Sequence, residues 1–93
     1  MYFLVVNRAK SDADADAISK VVAAHLSWAA RKIAAGRIVQ AGKWGSSGGM
    51  LIIRAADAQE ARSLIDADPI AQSELFATEV GRFYPEVESA RFD

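Results

Sequence analysis

The sequence predicts an α+β fold in which two helices cover one face of a four-stranded antiparallel sheet. Three observations predict it. Short apolar, β-branched runs open and close the chain, and two more flank a glycine-rich loop. Residues 14–35 repeat their apolar positions with a helical period. A second helix start is signed by Asp57-Ala58-Gln59-Glu60, a capping-box pattern. At 93 residues the chain is expected to form one domain over 1–93 with a modest core.

Taken in order, Tyr2 to Arg8 read as the first strand. The acidic stretch from Lys10 to Asp16 follows, placed where carboxylates cap the free N–H groups of a helix start. It lacks the glycine and distal glutamate of a calcium loop. In the first helix, from about Asp14 to Ala35, the stripe is Ile18, Val22, His25, Ala29 and Ile33, flanked by Val21 and Leu26. Gly36 supplies the left-handed stop. Arg37 to Trp44 and Met50 to Arg54 read as strands joined by a hairpin loop, Gly45 to Gly49. The second helix buries Ala61, Leu64 and Ile65 and ends near Asp66–Asp68, because Pro69 restrains the residue before it. Leu75 to Tyr84 read as the fourth strand, and a polar tail runs to Asp93.

The resulting order, βαββαβ, is the ferredoxin-like split βαβ arrangement. Its strands are apolar on both sides: Phe3 and Val5 point one way, Leu4 and Val6 the other, and Met50 to Ile53 are all apolar. Helices cover one face only, so the second face is expected to meet a second copy in a homodimer.

Composition removes several classes. With 11 Lys+Arg against 12 Asp+Glu there is no basic footprint for nucleic acid. No cysteine is present for a disulfide, zinc or thiol site. The run Met1 to Val6 is too short for a signal peptide, and no run approaches a membrane span. The expectation is a cytoplasmic protein with no nucleic-acid or membrane partner. The loop Gly42 to Gly49 lacks the Lys-Ser/Thr pair of a phosphate cradle.

His25 is the only histidine, and histidine is the side chain that ordinarily changes charge between pH 5 and 8. Two readings stand. It is a core imidazole bonded to a backbone carbonyl, or a general acid/base in a partly dry pocket. Asp68 likewise caps a short helix with Pro69 at its first position, or orients the His25 ring. These last two roles are compatible, since one oxygen can cap while the other accepts from imidazole. Both helices pack on one sheet face, so the end of the second can approach the middle of the first. Trp44 and Trp28 are candidates for lining a substrate pocket, or for packing in an interface. Ser46 and Ser47 have no evident base. One histidine without cysteine argues against a transition-metal site.

Five segments in order resemble the YciI-like (YCII-related) family: Ala24-His25-Leu26, Ala35 to Gly42, Gly49 to Ile53, Asp57 to Ala61, and Asp66-Ala67-Asp68-Pro69-Ile70. The resemblance runs from Tyr2 to about Val87. It implies a ferredoxin-like fold dimerising through its sheets into a dimeric α+β barrel, and a His–Asp active site mapping onto His25 and Asp68. One characterised branch of the family removes chloride from a chlorinated hydroxyhydroquinone, and the fold is shared with muconolactone isomerases. The sequence departs from the family where Val22-Ala23 replace an Arg-Pro pair that would anchor an anionic substrate. Lys43 replaces a proline after Ala-Gly, and Ile70 an aromatic residue after Asp-Pro.

Together these readings predict a small dimeric enzyme of lyase, dehydrochlorinase or isomerase type acting on a small molecule. His25 is its general base or acid and Asp68 its orienting carboxylate, with no cofactor and no metal. The alternative is a non-catalytic dimeric module that binds a ligand or another protein.

Overall fold

The computed structural model describes residues 1–87. The part of the expected tail beyond Val87 lies outside the described residues. The elements are β1 (Tyr2–Ala9), α1 (Ala15–Ala34), β2 (Ile38–Trp44), β3 (Gly48–Arg54), α2 (Ala58–Asp66), α3 (Pro69–Ser73) and β4 (Phe76–Phe83). The strands form one antiparallel sheet in the order β2-β3-β1-β4, so the expected βαββαβ fold is present with α3 added before β4.

Local chemistry sets the helix boundaries. Asp14 accepts the Ala17 N–H at 3.0 Å and starts α1. Gly36, at φ 76°, turns the chain after α1 and sends it into β2. Asp57 accepts the Glu60 N–H at 2.8 Å and starts α2. The capping box is only half made. The Glu60 carboxylate turns to the Arg37 guanidinium at 2.8 Å instead, tying α2 to the approach of β2.

The core lies between helices and sheet. Phe3 and Val5 of β1, Ile38 of β2 and Leu51 and Ile53 of β3 meet Trp28 and Ala29 of α1 and Ala61, Leu64 and Ile65 of α2. Burying these side chains, at roughly 1.5–3 kcal/mol for each large one, is the main force holding both helices on this face.

Three details differ from the sequence reading. The buried arc of α1 is turned toward Trp28, leaving Leu26 and Ile33 exposed. At 100° per residue both lie about 80–100° from His25, outside the arc that meets the sheet. The hairpin loop shortens to Gly45–Ser47, because Gly48 and Gly49 pair with Trp44 and Lys43 and extend β3. In β2 the register shifts by one residue between Ile38 and Gln40, a β-bulge.

The opposite face of the sheet carries no helix. Tyr2, Leu4, Val6, Met50, Ile52 and Phe83 populate it, and all but the buried Ile52 are half-buried. No helix among the described residues is long and apolar enough to cross a membrane.

Candidate functional site

Asp68 occupies the junction of α2 and α3. Ala67 ends α2 and Pro69 occupies the first turn of α3, so Asp68 adopts the extended backbone (φ −67°, ψ 130°) of a helix cap. Its Oδ1 accepts the Ile70 N–H at 2.9 Å. The carboxylate also faces α1, where the His25 Nδ1 lies 2.8 Å from Oδ1 and 2.9 Å from Oδ2. The cap and the ring contact therefore coexist.

Both groups are buried, His25 at 7% exposure and Asp68 at 2%. A buried carboxylate without partners is costly, and here three short contacts satisfy it. An ionised carboxylate only accepts, so the His25 Nδ1–H is the donor. In the neutral ring, Nε2 then carries the free lone pair. Such an arrangement can hold an imidazole in one tautomer and one ring plane and leave Nε2 for proton transfer.

Trp28, one turn along α1, is buried with its ring centroid 5.9 Å from that of His25, tilted by 33°. Its indole Nε1–H has no hydrogen-bond partner among the described residues. Trp28 thus sits beside the imidazole as well as in the core. Trp44 does not join it. Trp44 pairs with Gly48, on the sheet face opposite the helices, where it is 46% exposed with the Arg8 guanidinium 4.8 Å from its ring centroid. A regular strand would turn Trp44 to the same side as Ile38. The bulge between Ile38 and Gln40 turns Lys43 there instead.

Register defines the floor of the helix-covered side. Cross-strand partners share a face, so Ala41, Leu51, Val5 and Val80 form one apolar row. The next row on the same face is Lys43, Gly49, Asn7 and Thr78. Asn7 is 2% exposed, and its Oδ1 accepts the Thr78 hydroxyl at 2.7 Å. Asn7, His25 and Asp68 are the buried polar side chains of the described residues. Sequence reading passed over Asn7, although strict alternation from Phe3 and Val5 already put it on the inner face.

Two clefts open elsewhere. One of about 260 Å³ lies between α2 and β4, over Phe3, Ile65 and Val80 with Arg62 and Arg82 at its sides. One of about 140 Å³ involves Gln40, Gly42, Met50 and Ile52 on the open face. Neither is lined by His25 or Asp68. The larger cleft holds only the Arg62 and Arg82 guanidiniums as ionisable groups. No cluster of three or more metal-ligating side chains occurs among the described residues.

Comparison with known proteins agrees with this fold. The YCII-related domain model matches residues 1–83. A solved 5-chloro-2-hydroxyhydroquinone dehydrochlorinase from Burkholderia phenoliruptrix AC1100, in complex with 2,5-dihydroxybenzoquinone, is 26% identical. The match covers 90% of this chain and 94% of that one, with a TM-score of 0.70. A muconolactone isomerase structure is 15% identical, with 97% and 95% covered and a TM-score of 0.73, and shows the shared fold. No curated protein matches the sequence.

Proposed function

The chain belongs to the YCII-related family, and on that premise we propose that it is a small-molecule enzyme of lyase or isomerase type, with His25 as general base and acid. The observation that carries the proposal is the buried His25–Asp68 pair, with Nδ1 bound to both carboxylate oxygens and Nε2 left to act. The similarity to a dehydrochlorinase supports the same reading and points to a small ring compound as substrate.

The step needs a base and an orienting carboxylate. Nε2 takes a proton from a carbon next to a carbonyl, and the C–H electron pair moves into the enolate. In a lyase reaction that pair then expels an anion from the adjacent carbon and leaves a double bond, and the imidazolium gives its proton up to solvent with the departing anion. In an isomerase reaction the imidazolium returns the proton at a different carbon. Asp68 balances the positive ring in the intermediate state, when the pair is imidazolium and carboxylate.

The proposal includes a homodimer joined through the open sheet face. Leu4, Val6 and Met50 are apolar there and half-buried in one chain, and sheet-on-sheet packing would remove them from water.

The test is turnover of substituted hydroxyhydroquinones bearing a halide and of unsaturated lactones, by wild type and by His25→Gln. Acid–base catalysis contributes about 10²–10⁴-fold, so turnover should fall by that factor while the circular dichroism spectrum is retained. Binding without turnover in the wild type, weakened only modestly by His25→Gln, identifies a binding module instead. A His25→Gln protein that loses stability with ligand binding unchanged makes the histidine a core residue.

A further inference from the structure

The cleft between α2 and β4 combines an apolar floor with unopposed positive charge. Ala58, Ala61, Arg62 and Ile65 stand at i, i+3, i+4 and i+7 of α2, so one face of the helix carries all four into the cleft. Val80 and Arg82 pair with Val5 and Phe3 of β1, which puts both on the helix-covered side of the sheet. β4 is an edge strand, and the two alanines leave α2 little with which to fill the gap, so a space of about 260 Å³ stays open. Phe3 and Ile65 are buried core side chains and Val80 is half-buried, so the floor is apolar.

The acidic side chains close in sequence are engaged elsewhere. Asp57 caps α2, Glu60 pairs with Arg37 on the side of β2, and Glu79 meets Arg8 on the other face of the sheet. Asp66 approaches Arg62 at 3.8 Å, in a pair with both side chains more than half exposed, which is worth little. Arg82 has no carboxylate at ion-pair distance among the described residues. Its guanidinium carbon lies 4.4 Å from the Tyr84 ring centroid and 5.9 Å from that of Phe3. Contact with a ring engages the flat face of a guanidinium and leaves its in-plane N–H donors, the fork that matches a carboxylate. A side chain already held by two rings also loses less freedom on pairing.

We propose that this cleft is a binding site for a small aromatic carboxylate, its ring on Phe3, Ile65 and Val80 and its carboxylate on the Arg82 fork. Arg62, on the α2 wall, adds positive potential and not a second bond to the same oxygens. A bare inorganic anion would leave the apolar floor in water, and a neutral ring would leave the fork unpaired. The volume falls below the roughly 300–1,000 Å³ of pockets for drug-sized ligands, which limits the occupant to about one ring. Neither His25 nor Asp68 lines this cleft, so the site is separate from the dyad and holds whether or not the dyad transfers protons.

The probe is benzoate, titrated into the full chain and followed by 1H–15N NMR. Benzamide is the neutral isostere, and acetate the anion without a ring. Benzoate should shift the Ile65 and Gly81 amides with a Kd on the order of 1 mM, ordinary for so few atoms. Benzamide and acetate should each bind about tenfold more weakly or worse. Arg82→Gln should weaken benzoate by about tenfold or more, and Arg82→Lys and Arg62→Gln by smaller factors. Ala58 is exposed, so Ala58→Leu should fill the cleft and abolish binding with the Tm retained, a test that leaves the charges in place. His25→Gln should leave benzoate affinity unchanged. Shifts centred on the His25 ring, with affinity kept in Arg82→Gln and Ala58→Leu, overturn the site and assign the ligand to the dyad. Equal affinity for benzamide and benzoate, or no saturable binding of benzoate, also overturns it.

Discussion

His25 and Asp68 stand 43 positions apart in sequence, yet the His25 Nδ1 lies within 2.9 Å of both Asp68 carboxylate oxygens. One of those oxygens also accepts the first free N–H of α3. The carboxylate cannot turn without releasing either the helix or the ring, so the local backbone fixes the plane in which the imidazole is held.

The ring proton has a predicted place. In wild type, 15N correlation spectra of the neutral imidazole should show the proton on Nδ1 and an unprotonated Nε2. In Asp68→Ala the balance should move to the Nε2–H form that free histidine prefers, and loss of the cap should cost about 1 kcal/mol. An unchanged tautomer in Asp68→Ala removes the orienting role of the carboxylate.

Trp28 tests whether its indole N–H contributes to stability. Trp28→Phe removes a buried donor that has no partner among the described residues, which offsets part of the lost volume. Urea unfolding should therefore show a cost below about 1.5 kcal/mol. Trp28→Ala should cost about 3–5 kcal/mol. Equal costs for the two variants would mean that the N–H has a partner after all.

Gly48 tests the hairpin register. A Cβ there would sit 2.6 Å from the Asn7 backbone oxygen and 3.1 Å from that of Trp44, and neither is a flexible group. Gly48→Ala should cost about 1–3 kcal/mol, lowering the Tm by roughly 4–8 °C for each kcal/mol. A Tm unchanged within 1–2 °C, about the error of a melting scan, would place β3 in another register.

The open face tests assembly. Light scattering at micromolar concentration should return twice the chain mass for wild type. Met50→Lys puts a charge in the middle of that face and should return the mass of one chain with the same far-UV spectrum. A wild-type protein that scatters as a single chain removes the dimer.

Much of this was legible in the sequence, for reasons that differ from residue to residue. The start of α1 at Asp14 and the cap at Asp68 are local signals, written in residues within a few positions of one another. The meeting of His25 with Asp68 is not local. It became readable only once the βαββαβ order put both helices on one face. The positions of Leu26 and Ile33 were misread because one apolar side chain shifts a stripe by little, while tertiary packing chooses its centre. The facing of Trp44 was not legible for a different reason: alternation predicts the facing of a strand residue only while the pleat is regular, and no pattern in Arg37 to Trp44 announces a bulge. Asn7 needed nothing beyond alternation, and was hidden by its apolar neighbours.

That bulge has a consequence for chain length. Ile38 and Lys43 are separated by an odd number of steps, yet both point toward the helices, because β2 holds one residue more than its pairing requires. Deleting Val39 would make the count even and the strand regular, with Ile38 still in the core and Lys43 still on the floor. Insertions and deletions within a strand ordinarily reverse every side chain beyond them. At this one position the protein can lose a residue and keep each side chain on the side it already occupies.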